Sequence, residues 1–323
     1  MKKFDIAVVG ATGMVGRTLI KVLEERGFPV NNFYPMSSAK SAGKKVDFNG
    51  KNYTVEELTE KSFDKHIDIA LFSAGGGIST KFAPVAASKG CVVIDNSSSW
   101  RMNKDVPLVV PEVNPKDVKW HKGIISNPNC STIQAVVVLK PLNDNYKVKR
   151  VIYSTYQAVS GAGLGGLNDL SKGTSNSFKY PISGNCIPQI DVFMENGYTK
   201  EEMKMINETR KILGVPDMRI TSTAVRVPVV TGHSESINIE FENSFEINDI
   251  IELLKNSKGV VVQNDYANFE YPMPTFVEGK DEVFVGRVRR DESVENGLNL
   301  WVVADNVRKG AATNAVQIAE LLG

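Results

Sequence analysis

The chain has 323 residues, 42% hydrophobic and 23% charged, the balance of an ordinary globular protein. That length exceeds one comfortable core and points to two domains. A net charge of +1 leaves no electrostatic footprint for nucleic acid or an anionic membrane, and no apolar run approaches the ~18 residues of a membrane span. Cysteines at 91, 130 and 186 are too widely spaced for a disulfide framework or a metal site, which points to a reducing cytoplasm. Lys2 and Lys3 precede an apolar stretch too short to be a signal peptide.

In chain order, Phe4 to Val9 reads as a buried strand, Met14 to Arg26 as a helix ending at Gly27, and Asn31 to Met36 as a second strand. Val46 to Val55 contains Asn49-Gly50, a two-residue hairpin signal. Strands at Ile67 to Ser73 and Cys91 to Asp95 flank a helix at Ser79 to Lys89. This alternation is that of a parallel α/β sheet. The turn after the first strand, Gly10-Ala11-Thr12-Gly13-Met14-Val15-Gly16, has glycines that let the backbone approach a pyrophosphate at a helix N-terminus. Its spacing departs by one residue from the commoner dinucleotide fingerprint, and a tight turn that binds nothing is the alternative. No carboxylate lies between Gly27 and Lys45 to hold a ribose 2′-hydroxyl. Ser38, Lys40 and Ser41 suit a 2′-phosphate instead, so the cofactor expected is NADP(H), with a solvated polar loop as the alternative.

Cys130 lies in Ser126-Asn127-Pro128-Asn129-Cys130-Ser131-Thr132. Pro128 and Asn129 break the preceding extended run, Asn129 reads as an N-cap, and Ile133 to Leu139 reads as a helix that stops before Pro141. A helix start favours a thiolate, which is nucleophilic at neutral pH where a thiol of pKa about 8.5 is not. A buried, inert cysteine is the alternative. Beyond it the strands lengthen and alternate: Arg150 to Val159, Ile220 to Val230, Ser236 to Phe241 and Val283 to Arg290, with helices at Lys200 to Leu213 and Asn248 to Lys255. That is an α+β pattern with a mostly antiparallel sheet. Gly161 to Asn176 and Tyr266 to Gly279 read as loops, and Arg308 to Leu322 as a terminal helix. Gln157, Arg226 and His233 are polar residues in otherwise apolar strands, and imidazole is the usual base for a nucleophilic thiol.

These segments, with Ser97 to Arg101, Tyr156 to Gly163, Glu201 to Lys204, Arg226 to Glu235 and Asp305 to Glu320, occur in the same order as in the aspartate-semialdehyde dehydrogenase family, which the chain resembles over its whole length. The resemblance implies NADPH-dependent reductive dephosphorylation of L-4-aspartyl phosphate, in the biosynthesis of lysine, threonine, methionine and diaminopimelate. It implies Cys130 as the nucleophile that carries a thioester, His233 as the group that accepts a proton in the oxidative direction, and Gln157 as an orienting residue. Arg226 would take the substrate carboxylate, Glu201 its ammonium, and Arg101 the phosphate with Lys204 and Asn129. Arg101 as a surface residue, and Glu201 with Lys204 as an i,i+3 helix pair, are the alternatives; Glu202 adjoins Glu201, and only the motif selects between them.

Ser160, Gly161, Asn314 and Gln317 would join the glycine loop around the cofactor. Lys40 stands where many relatives have arginine, which would weaken stacking on adenine. The domains implied are 1–129 plus 305–323 for the cofactor and 130–304 for catalysis and homodimer formation, the partners being the small substrate and inorganic phosphate. Two rival functions differ in kind. N-acetyl-γ-glutamyl-phosphate reductase shares the chemistry but not the need for Glu201; an NADP-binding redox sensor would need a resolving cysteine rather than His233.

Overall fold

The computed structural model describes residues 2–323. Two compact units divide the chain, one running to Asn129 and resuming at Ala311–Gly323, the other spanning Cys130–Gly310.

In the first unit β1 (Phe4–Val9) is buried at every position, as a parallel strand covered on both faces must be. α1 (Met14–Glu25) turns Leu19, Ile20 and Leu23 inward and ends before Gly27, whose φ of 60° supplies the left-handed turn. β2 (Val30–Ser37) is followed by a hairpin of β3 (Lys45–Phe48) and β4 (Lys51–Thr54). Asn49 and Gly50 between them have φ of 51° and 70°, as the mirror-image turn of a hairpin requires. β5 (Glu56–Glu57), β6 (Ile69–Phe72), α2 (Gly76–Ser88), β7 (Val92–Asp95) and β8 (Ile124–Ser126) complete a six-stranded sheet of order β5-β2-β1-β6-β7-β8, parallel throughout. Ile6 and Val8 pack on one face with Leu19 and Leu23, Ala7 and Val9 on the other with Phe72 and Phe82. The strand order reverses at β1 and β6, so the loops after them diverge and open a crevice at the strand ends.

The second unit opens with α3 (Cys130–Tyr146), which runs through Pro141 rather than stopping before it. The ring removes the bond to Val137, but Leu142 beyond it is fully buried, and Lys140–Asp144 and Asn145 to the Pro141 carbonyl secure the last turn. Then come β9 (Val148–Gln157), α4 (Gly163–Lys172), α5 (Lys200–Leu213), β10 (Arg219–Arg226), β11 (His233–Phe241), α6 (Ile247–Lys255), β12 (Val260–Val262), α7 (Pro274–Val277), β13 (Val283–Asp291) and β14 (Gly297–Ala304). Their sheet has the order β10-β9-β11-β14-β13-β12. The three central pairings are antiparallel, and the two outer ones parallel. One face is covered by α3, and along β9 and β11 the residues facing it alternate with half-buried ones on the opposite face.

Several elements differ from the sequence reading. The stretch expected as a loop after Gly161 contains α4, because Gly165 and Gly166 serve close packing: a Cβ on Gly166 would overlap the Val159 carbonyl. The strand expected to reach Val230 ends at Arg226, α7 lies within the second expected loop, and β14 is an additional central strand. Residues 305–310, expected with the cofactor domain, fall in the second unit. The Asp305 carboxylate anchors them there by accepting from Gly279, Val307 and Arg308 N–H groups. A π-helical turn at Arg308–Ala312 then leads into α8 (Thr313–Glu320), whose Ala315, Val316 and Ile318 join the core around α1.

Candidate active site

In the first unit the glycine loop has the geometry of an anion cradle. Gly10 has φ of 88°, and a Cβ there would lie 2.8 Å from the Ser73 carbonyl oxygen. A Cβ on Gly16 would overlap the Gly10 carbonyl, so both glycines are required for α1 to close onto the loop. Gly13 precedes α1 with no side-chain cap, and no acid occupies the first turn where Met14, Val15 and Gly16 sit. A helix start so arranged offers N–H groups and positive potential to a pyrophosphate. Beside it lies a cavity of about 320 Å³ lined by Gly10, Thr12, Gly13, Ser37, Ser38, Ser41 and Ser73. The Thr12 hydroxyl meets those of Ser37 (3.0 Å) and Ser41 (3.3 Å), while Ser38 and, two residues on in the same turn, Lys40 are exposed. Hydroxyls and an ammonium in a site without a carboxylate fit a dinucleotide with a 2′-phosphate.

The other residues expected in that unit are more tightly engaged. Arg101 is buried, not a surface residue, and donates to the backbone oxygens of Asn127 (3.0 Å) and Asn96 (2.8 Å). Asn129 is buried immediately before α3. Asn314 is fully buried and donates to Asn127 Oδ1 (2.7 Å) and the Val109 oxygen (3.0 Å). Gln317 donates to Glu112 (3.0 Å). Those bonds knit α8 to the segments on either side of β8, and neither residue lines the cavity beside the glycine loop.

In the second unit Cys130 is the first residue of α3, half-buried among buried neighbours. Gly310 packs directly on it: a Cβ there would stand 2.8 Å from Cys130 Cβ and 3.2 Å from its Cα. The absent side chain of Gly310 thus makes room for the thiol-bearing residue. His233 opens β11 and is fully buried. Its Nδ1 accepts from the Ala158 N–H (3.0 Å), and its Nε2 has no hydrogen-bond partner among the described residues. A ring whose Nδ1 accepts carries its neutral-state proton on Nε2. Burial, and secondarily the charge of Arg226, push this imidazole well below its usual pKa.

Gly161 sits beside that ring: a Cβ on it would lie 3.3 Å from His233 Nε2 and 2.8 Å from Arg226 Nη1. Arg226 ends β10, opposite Gln157 at the end of β9. Its Nη1 donates to the Ala158 oxygen (2.7 Å), and its guanidinium lies over the Phe178 ring at 5.9 Å. Burial works against its charge, while Glu201 and Cys130 favour it. Gln157 is buried and donates to the Thr155 hydroxyl (3.2 Å). Ser160 exchanges hydrogen bonds with Asn306 (2.9 and 3.2 Å), which also accepts from the Gly232 N–H (2.9 Å).

The structure separates the two adjacent acids of α5. Glu202 closes a capping box with Thr199 and accepts from the Ala224 N–H (3.0 Å), so its oxygens are engaged with backbone. Glu201 faces Lys204 (3.0 Å). Lys204 also holds Asp191 at 3.0 Å, a partner that no motif in the chain signals. Burial opposes the lysine charge, but Glu201 and Asp191 outweigh it and raise its pKa. Three further residues escaped the sequence reading: Asn306, Gln134 and Glu235. Glu235 is two positions after His233 on the same strand face, a period-two signal that was present. It is fully buried with neither oxygen hydrogen-bonded among the described residues. Burial, then the charge of Glu201, raise its pKa well above the ordinary range, against the influence of Ser131.

Comparison with known proteins gives one consistent result. Residues 5–121 match the family model described as semialdehyde dehydrogenase, NAD binding domain, and residues 139–309 the one described as semialdehyde dehydrogenase, dimerisation domain. The chain is 56% identical to an aspartate-semialdehyde dehydrogenase of Aquifex aeolicus, over 99% of this chain and 98% of that one. It is 50% identical to that of Bacillus subtilis over 98% and 96% of the two chains. The crystal structure of aspartate semialdehyde dehydrogenase II from Vibrio cholerae, complexed with ASA, superposes with a TM-score of 0.97 at 48% identity, covering 100% of this chain and 98% of that one. That of the Candida albicans enzyme with NADP superposes with a TM-score of 0.80 at 25% identity, over 99% and 98%.

Proposed function

The chain belongs to the aspartate-semialdehyde dehydrogenase family, and on that premise we propose that it converts L-4-aspartyl phosphate and NADPH reversibly to L-aspartate-4-semialdehyde, phosphate and NADP⁺. The observation that carries this reading is the convergence at Gly161. Its missing side chain leaves His233 Nε2 and the Arg226 guanidinium side by side, with Arg226 in electrostatic reach of Cys130 and Glu201. A nucleophile, an N–H donor, a carboxylate clamp and an ammonium partner are the groups this substrate demands.

The Cys130 thiolate, favoured by the helix start and by Arg226, attacks the acyl carbon. The bond to phosphate breaks, phosphate takes a proton from solvent, and a thioester remains on Cys130. Bound NADPH supplies the hydride that reduces this thioester. The alkoxide so formed is held by His233 Nε2–H, and its collapse re-forms the carbonyl and expels the Cys130 thiolate. Its oxygen needs no proton at any step. The Ala158 bond to Nδ1 therefore supports His233 as a fixed donor to the oxyanion, in place of the proton acceptor that family resemblance implies. Arg226 and Glu201 hold the substrate carboxylate and ammonium, Gln157 orients the acyl group, and Lys204, Arg101 and Asn129 serve the phosphate.

NADP(H) would rest on Gly10, Thr12, Gly13 and the N–H groups of Met14 to Gly16, its 2′-phosphate on Ser38, Lys40 and Ser41. Ser160 and Gly161 serve it by shaping the loop above His233. The half-buried sheet face carrying Tyr156 and Trp301 suits a homodimer, as the dimerisation-domain match suggests. No helix of the described residues is long and apolar enough to cross a membrane, and free Cys91, Cys130 and Cys186 accord with a reducing cytoplasm.

A neutral acetamido nitrogen would gain nothing from Glu201, which disfavours the N-acetylglutamyl substrate. Cys91 is ill suited as the resolving thiol of a sensor, being buried with its pKa pushed up to about 12. The test is phosphate-dependent NADP⁺ reduction with L-aspartate-4-semialdehyde. Activity in the wild type and none in Cys130→Ala supports the proposal; an inactive wild type, with NADP⁺ bound, rejects it.

A further inference from the structure

Gln134 is a buried amide in a run, Ile133 to Leu139, that is otherwise apolar. It stands at i+4 from Cys130, so the two project from the same face of α3. Burying an amide there is costly, and a leucine would serve packing better. Its Nε2 donates to the backbone oxygen of His233 (3.3 Å), while its Oε1 finds no partner among the described residues. The amide is thus a single directed tie, not part of a satisfied network.

The bond falls where β11 needs it. His233 is paired with Ala304 of β14 on one side, but pairing with β9 on the other starts only at Ser234 opposite Tyr156, and Gly232 just before His233 turns with φ of 88°. At His233 itself the ring is held by the Ala158 N–H on one side and the main chain by Gln134 on the other.

We propose that Gln134 is a positioning residue: by tying the helix that begins with Cys130 to the strand that begins with His233, it fixes the height of the imidazole N–H over the thioester oxygen. This rests on the reading of Cys130 and His233 as the reacting pair.

The test compares Gln134→Met, which keeps length and apolar volume without a donor, with Gln134→Glu, whose buried carboxyl keeps a donor while protonated. Semialdehyde oxidation would be followed for kcat and KM, and Cys130 alkylation by iodoacetamide without substrate. Gln134→Met is expected to lose about ten- to a hundredfold in kcat, with KM and alkylation rate within about twofold of wild type. Gln134→Glu should regain most of that kcat toward low pH, relative to wild type at the same pH. A Gln134→Met enzyme that unfolds at lower temperature yet keeps kcat per titrated Cys130 overturns the proposal. So does loss of kcat and alkylation in parallel, since the thiol itself would then be displaced. Cys130→Ala and His233→Ala in the same assay test the pair independently: activity surviving in either rejects that reading whatever Gln134→Met does.

Discussion

Gly310→Ala tests how closely the thiol is held by its packing. Gly310 is not in the left-handed region, so alanine is tolerable to its backbone, and the whole effect comes from space. The new methyl would stand 2.8 Å from Cys130 Cβ and 3.2 Å from Cys130 Cα, neither of which can swing aside as a flexible side-chain end could. Carbon–carbon contacts are comfortable at about 3.5–4.0 Å, so the turn and the helix start must separate by roughly 1 Å. Overpacking of that size costs ~1–3 kcal/mol of stability. The catalytic cost is larger, because a displacement of about 1 Å at a reacting atom is worth roughly a hundredfold in rate. Steady-state oxidation of the semialdehyde, normalised to folded protein and read beside thermal unfolding, would show kcat down about a hundredfold while KM changes little. An alanine enzyme with wild-type kcat would mean that the turn has slack, and the inference that Gly310 sets the thiol position would be wrong.

Three further outcomes follow from the acids. Glu235 has its pKa raised on folding, so its contribution to stability is complete below the unfolded value near 4.3 and disappears as pH rises through the folded one. Glu235→Gln should therefore gain thermal stability over wild type as pH increases; a gap that stays constant with pH contradicts a buried neutral carboxyl. Glu202→Ala removes a cap and should cost ~0.5–2 kcal/mol of stability with KM unaffected, whereas Glu201→Gln should raise KM for the semialdehyde about ten- to a hundredfold. Interchanged phenotypes would reassign the substrate ammonium to Glu202. Asp191→Asn leaves Lys204 with one carboxylate partner and should lower KM for phosphate by up to about fivefold, as expected for loss of a pair worth ~1 kcal/mol. A raised KM would show that Asp191 aims the lysine instead.

Local chemistry made much of the fold legible. The turn at Asn49-Gly50 and the stop at Gly27 are positions where only a few residue types take positive φ, so sequence and conformation correspond almost one to one. Strand β1 announces itself as an unbroken apolar run because both its faces are covered. Pro141 and the glycines of α4 misled because tertiary packing decides them. A proline is tolerated where a buried Leu142 rewards continuing the helix, and glycines mark close backbone approach as readily as a loop.

The site shows the same division, and its misses have one cause. Cys130, His233 and Arg226 stand out as reactive types in informative contexts, a helix start and two strand ends. What sequence could not supply is which atom of each is already engaged. Glu201 and Glu202 are chemically identical, and only the backbone N–H groups of Thr199 and Ala224 take Glu202 out of contention. His233 could be written as base or donor until the Ala158 N–H is seen on Nδ1, which leaves the neutral ring's proton on Nε2 and is what supports the proposed donor role. Gln134 is still less legible, since its tie runs to a main-chain oxygen that every residue possesses. Roles set by backbone partners leave no residue-type signature, so the groups that orient Cys130 and His233 are harder to read than Cys130 and His233 themselves.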